Sequence, residues 1–121
     1  MFRLLILTTI VTSFKYRTVT TVAAMSIKSV DFEIFGRVQG VFFRKYTKKQ
    51  ADKLGLRGWC MNTSKGTVQG QIQGPSDNVE SMMQWLRTTG SPSSQIDKAE
   101  FKNEKEVSEY SFNDFSIRKD Y

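Results

Sequence analysis

Histidine is absent from the 121 residues, and cysteine occurs once, as Cys60. Without imidazole no catalytic triad can use it as base, and a single thiol builds neither a disulfide framework nor a thiolate zinc site. A lone cysteine also favours a reducing compartment. Long apolar runs are lacking too. The stretch from Leu4 to Val11 falls far short of the roughly 18 residues that a membrane span needs. Acids are missing from the first 25 residues, where Arg3, Lys15 and Arg17 lie, so most of that segment's charge tells nothing about the fold. From Ser26 onward 15 basic residues face 12 acidic ones, a net of +3 against +6 for the whole chain. Binders of polyanions concentrate a larger excess on one face, so a nucleic-acid partner is not expected.

What is present suits one compact domain with a single core, at 39% hydrophobic residues. Residues 1–25, threonine-rich and basic, read as an N-terminal extension, either disordered or a targeting segment such as a mitochondrial presequence or a secretory signal. The domain is expected from residue 26 to 121. The protein is expected in the cytoplasm, or in mitochondria if the extension is a presequence, and as a monomer.

Within the domain the periodicities change in a regular order. Val30, Phe32 and Ile34 alternate with Asp31, Glu33 and Phe35, which predicts a strand ending at Gly36. Phe43, Thr47, Gln50, Ala51 and Leu54 share one side of a helix that Gly55 can close. Leu56 to Asn62 and Val68 to Gln73 read as strands joined by a short turn through Gly66. After Gly74-Pro75, Ser76 or Asp77 can cap a second helix, whose Val79, Met82, Met83 and Leu86 fall on one face and read as core. Ile96 to Phe101 predicts a strand, Asn103 to Glu106 a charged turn, and Tyr110 to Ile117 a last strand with a bulge near Asn113 and Asp114. The order βαββαβ plus a C-terminal strand predicts an α+β, ferredoxin-like split βαβ fold, with two helices on one face of an antiparallel sheet. Its first two strands then run parallel and end at the same edge, which makes Arg44 and Asn62 neighbours.

The stretch FGRVQGVFFRKY, residues 35 to 46, is unusual at that edge. Between Gly36 and Phe42 no Ser, Thr, Asp or Asn is available to cap the coming helix, so its first N–H groups lack the usual partner. Arg44 and Lys45 bring charge of the wrong sign for the bare helix dipole. A bound phosphate would resolve both features, because it accepts from the free amides and pairs with a guanidinium in a two-pronged contact. The stretch is neither a Walker A loop nor a dinucleotide fingerprint. The ordinary alternative is a tight turn whose glycines serve packing and whose cations are solvated.

GRVQGVFFR, residues 36 to 44, followed by GWCMNTSKGTVQGQIQG, residues 58 to 74, and GSPSS, residues 90 to 94, resembles the paired signatures of the acylphosphatase family. The resemblance runs from about Ser26 to the C-terminal FSIRKDY. It implies a ferredoxin-like enzyme that hydrolyses acyl phosphates to a carboxylate and inorganic phosphate, with no metal and no cofactor. By position it implies Arg44 as the phosphate-binding arginine and Asn62 as the residue that orients the attacking water. The backbone of Arg37, Val38, Gln39, Gly40, Val41, Phe42 and Phe43 would form the cradle, and Thr63 a supporting hydroxyl. Met61, where relatives often carry a basic residue, would weaken the attraction for anionic substrate, and Cys60, where valine is common, would change little.

The chemistry suits so few tools. The leaving carboxylate has a pKa of roughly 4, so it departs without a general acid. Two readings from other classes stand beside this one: a non-catalytic anion-binding domain of the same fold, and an RNA-recognition module, which shares the βαββαβ order but needs aromatics on its central strands. On their own, Asn62 also reads as a turn residue and Arg44 as a surface cation. Trp59, on the opposite side of its strand from Asn62, reads as a core residue or a contact for an acyl group. Trp85 reads as core, and Lys48, Lys49 and Lys53 as a solvated helix face.

Overall fold

The computed structural model describes residues 26–119. The expected extension over residues 1–25 lies outside them. The elements follow in the order β1 (Ile27–Arg37), α1 (Phe43–Lys53), β2 (Arg57–Asn62), β3 (Val68–Gly74), α2 (Ser76–Thr88), β4 (Gln95–Val107) and β5 (Phe115–Ile117). They form one five-stranded sheet in the order β4-β1-β3-β2-β5. Strand β3 lies between β1 and β2 and is antiparallel to both, so β1 and β2 run parallel. Val68 pairs with Ile34 on one side and with Asn62 on the other, which brings the ends of the two parallel strands to one edge.

Side-chain alternation determines the layers. Val30, Phe32 and Ile34 are buried while Asp31, Glu33 and Phe35 are half-buried. The buried set joins Cys60, Val68 and Ile72 of the neighbouring strands, and Phe43, Ala51, Val79, Met82, Met83 and Leu86 of the helices, in one core cluster. The methionine pair is therefore core. Both helices lie on this face, and the other face of the sheet is left half-exposed. Helix α1 ends as its sequence predicts: Gly55 N–H donates to Asp52 O at 3.1 Å and Leu56 N–H to Ala51 O at 2.9 Å, the paired bonds of a Schellman motif.

Three local expectations are corrected. Neither Ser76 nor Asp77 caps α2: its N-cap is Pro75, whose carbonyl accepts the first helical bond from Val79 N–H at 3.0 Å and whose ring has no polar atom to bond the helix. The charged turn at Asn103 to Glu106 is part of β4, which runs on to Val107. A bulge absorbs Asn103, which adopts φ 56 and donates to Asp31 Oδ2 at 2.7 Å, and the flanking charges are those of an edge strand, where they discourage pairing with other chains.

The last strand is shorter than expected and differently placed. Only Phe115–Ile117 forms it, and it runs parallel to β2, so the sheet is mixed. Residues 108–114 are not strand. They are tethered where they pass the sheet: Ser111 N–H donates to Gln73 Oε1 at 2.8 Å, and the Arg57 guanidinium stacks on Tyr110 at 3.8 Å. These contacts join residues far apart in sequence, and local periodicity carries no sign of them.

Candidate active site

The connection from β1 to α1 starts with a close approach. At Gly36, φ 127, an added Cβ would stand 2.1 Å from Gln95 O of β4, so this glycine serves the sheet. Gly40, φ 75, has open space where a side chain would go, so there the backbone conformation is what requires glycine. Phe42 then adopts φ 60 and ψ 25 as the N-cap of α1, with no side-chain hydrogen bond to the helix and no acid in its first turn. The first bond back into the cap is Tyr46 N–H to Phe42 O at 3.1 Å. Among the described residues, the backbone bonds of loops and caps employ none of the N–H groups from Gln39 to Phe43.

These amides border a cavity of about 350 Å³ lined by Val38, Gly40, Phe42, Phe43, Arg44, Lys45, Asn62 and Ile117. Arg44 and Asn62 meet there, as the parallel strands require. Of the other expected site residues, Val38, Gly40, Phe42 and Phe43 line it, and Arg37, Gln39, Val41 and Thr63 do not. Arg37 is exposed at the end of β1, and Val41 packs against the core. The charged residues of the lining are Arg44 and Lys45, without a carboxylate, so the cavity is suited to an anion.

Gln39 acts through its side chain. Its Nε2 donates to the carbonyls of Thr63 and Thr67, each at 2.9 Å, and so ties the loop to the β2–β3 turn that follows Asn62. Thr63 and Thr67 share a hydroxyl hydrogen bond of 2.6 Å, and Thr67 Oγ1 donates to Glu33 Oε2 at 2.6 Å. Lys65 pairs with the same carboxylate at 3.3 Å. Burial pushes the Glu33 carboxyl up, but the Thr67 and Lys65 hydrogen bonds and the Lys65 and Lys102 charges outweigh it and hold the group below its ordinary value. Thr63 thus supports the turn that presents Asn62.

Cys60 is buried on β2, two residues before Asn62, and its Sγ donates weakly to Arg44 O at 3.9 Å. Burial pushes its thiol up to about 12, against the Arg44 and Lys48 charges. The group is protonated at neutral pH and is no thiolate nucleophile.

Other expectations resolve away from this cavity. Trp59 belongs neither to the core nor to the site: it is half-buried on the helix-free face, stacked under the Arg118 guanidinium at 4.1 Å, beside a cavity of about 390 Å³. Trp85 packs on Phe43 with ring centroids 5.9 Å apart and edges a cavity of about 620 Å³ with Lys49 and Lys53. Lys48 is no simple solvated cation, since its Nζ donates to Phe115 O at 2.9 Å and pairs with Asp52 at 3.1 Å. Sequence reading missed Ile117 and the side chain of Gln39, because the parallel β2–β5 pairing and the contact to Thr63 and Thr67 join distant segments.

Comparison with known proteins bears on the same region. The Acylphosphatase family model matches residues 30–117. Acylphosphatase-2 of Homo sapiens is 60% identical over 95 residues, covering 78% of this chain and 96% of that protein. Acylphosphatase-2 of Gallus gallus is 59% identical over 98 residues, covering 81% and 95%. Among solved structures, an acylphosphatase from Coxiella burnetii superposes with a TM-score of 0.68 at 30% identity, covering 77% of this chain and 94% of that one.

Proposed function

The chain belongs to the acylphosphatase family, enzymes that hydrolyse acyl phosphates, and from that premise we propose that the α1 end holds the phosphoryl group while Asn62 directs the water. The observation that carries this reading is a helix N-terminus with neither cap nor acid, opening on a cavity that Arg44 and Asn62 also line. The loop amides and the Arg44 guanidinium compensate charge on the three phosphoryl oxygens, the electrostatic task that dominates phosphoryl transfer. Preorganisation comes from Gln39 and the Thr63, Thr67 and Glu33 network, which hold the loop and the Asn62 strand end at a fixed distance.

Asn62 is a neutral amide. Its carbonyl accepts a water proton and its NH₂ donates to an oxygen, so it orients the nucleophile without ionising it. The water oxygen forms a bond to phosphorus, the bond from phosphorus to the carboxyl oxygen breaks, and the electron pair leaves with the carboxylate. The water's proton passes to a phosphoryl oxygen, and the products are a carboxylate and dihydrogen phosphate. No residue need change its protonation state, which suits a site lined by arginine, lysine and asparagine.

The RNA-recognition reading finds little support. On the helix-free face β3 offers Gln69 and Gln71, and β1 sets Asp31 and Glu33 beside Phe35, so a polyanion would meet carboxylates. The domain proposed is residues 26 to 121, acting as a monomer on a small-molecule substrate in a reducing compartment such as the cytoplasm. Among the described residues no helix is long and apolar enough to cross a membrane. Hydrolysis of benzoyl phosphate in the presence of a chelator, with inorganic phosphate as competitive inhibitor, is the expected result. Phosphate binding without turnover would instead establish the non-catalytic anion-binding domain.

A further inference from the structure

Two large hydrophobic side chains stand out as exposed among the described residues: Phe42, 72% exposed, and Ile117, 42% exposed. Both line the cavity that holds Arg44 and Asn62. They come from separate parts of the chain. Phe42 is the N-cap of α1, and Ile117 is placed beside the site by the pairing of β5 with Cys60.

Phe42 is also conformationally costly. A bulky side chain at φ 60 is a genuine backbone outlier, and strain of this kind gathers at functional sites. Glycine or asparagine would take the same conformation more easily, and an exposed ring gains little from burial. The Lys45 ammonium, 5.8 Å from the ring centroid, attends the ring at the cavity mouth. Packing within the protein explains neither the conformation nor the exposure of Phe42.

We propose that Phe42 and Ile117 form the acyl-group subsite, and that the substrate class is acyl phosphates with an apolar, especially aromatic, acyl body. The inference rests on the phosphoryl site described above and deepens it. A phosphoryl group anchored on the amides is comparable to about two or three water molecules of roughly 30 Å³ each, so most of the 350 Å³ cavity is left for the rest of the substrate. An apolar acyl body there covers both exposed side chains and removes their surface from water. A short polar acyl group leaves them wet.

The test compares benzoyl phosphate with acetyl phosphate on the full chain. The wild type should show a KM at least about 10-fold lower for benzoyl phosphate, the scale of a few buried CH₂ groups. Phe42→Asn, which keeps a residue tolerant of the left-handed region, and Ile117→Ser should each raise the benzoyl phosphate KM by about 3- to 10-fold. Ile117→Ser, which lies outside the amide cradle, should leave acetyl phosphate kinetics and the inhibition constant of inorganic phosphate within about twofold, which also shows that it folds, whereas Phe42→Asn, whose own amide belongs to the cradle, should raise the benzoyl phosphate KM by more than the acetyl phosphate KM. An equal change for both substrates, or no preference in the wild type, overturns the subsite while leaving the phosphoryl site intact. Failure to hydrolyse either substrate brings down the phosphoryl reading and this one together.

Discussion

Helices α1 and α2 both begin without a side-chain cap, yet their first turns differ in every other respect. Helix α2 starts from Pro75 at φ −58 and ψ 143, an ordinary extended residue, and places Asp77 in its first turn, where a carboxylate favours the dipole. Helix α1 starts from a left-handed phenylalanine and has cations at Arg44 and Lys45 with no acid. A missing cap costs about 1 kcal/mol, and a non-glycine residue in the left-handed region about 1 to 3 kcal/mol. Out of a total stability of roughly 5 to 15 kcal/mol, that is a substantial sacrifice at one helix end. The α2 end suits the folded chain alone, and the contrast at the α1 end is what the proposed anion would offset.

The largest expected effect breaks this contrast at the guanidinium. Arg44→Lys keeps a charge but loses the two-pronged contact, and turnover of benzoyl phosphate should fall by about 10²- to 10³-fold; near-normal turnover would remove Arg44 from the reaction. Asn62→Ala comes next. It should lower turnover by about 10- to 100-fold, a loss on the scale of one positioning contact, while the inhibition constant of phosphate changes less than about threefold. Parallel losses in both quantities would contradict the separation of anion holder from water holder.

Exchanging the charge character of the two ends sharpens the comparison further. Lys45→Glu gives α1 the acid that α2 has, and should stabilise the helix by about 0.3 to 1 kcal/mol while weakening phosphate inhibition several-fold. Asp77→Lys should cost α2 a similar 0.3 to 1 kcal/mol and leave turnover unchanged. Urea midpoints and phosphate inhibition constants measured on both variants check the pair.

The smallest effect concerns the turn facing the α1 end. The folded-state value of Glu33 lies below its ordinary 4.5, so its contribution to stability is present above about pH 4.5 and fades as pH falls through that lowered value. Denaturation midpoints between pH 7 and pH 3 should therefore fall more steeply for the wild type than for Glu33→Gln. Identical slopes would show that the Thr67 and Lys65 contacts do not tune this carboxylate.

Much of this could be read from the chain because local rules agree with the fold. Alternation at Val30, Phe32 and Ile34 and helical spacing at Phe43, Thr47 and Ala51 mark the buried faces directly. The missing cap between Gly36 and Phe42 marks the helix end that borders the cavity of the proposed site, and parallel β1 and β2 bring Asn62 to the same cavity. Misreadings fall where distant segments decide. The charges from Asn103 to Glu106 break alternation because β4 is an edge strand, so they read as a turn. The parallel placement of β5 depends on tethers to Gln73 and Arg57, which no local pattern encodes, and with it goes the position of Ile117 at the cavity. The sequence marks Gly36 only as the end of a strand, because spacing does not reveal that β4 passes too close there for a side chain.

The most direct measurement is a titration of the labelled protein with inorganic phosphate, followed by amide nuclear magnetic resonance. Saturating shifts should concentrate on the N–H groups from Gln39 to Lys45 and on the Asn62 side chain, with the α2 amides at Asp77 and Asn78 unmoved. Shifts of equal size at both helix ends, or none at Gln39 to Lys45 while the enzyme remains active, would contradict the claim that the α1 end is the phosphoryl holder.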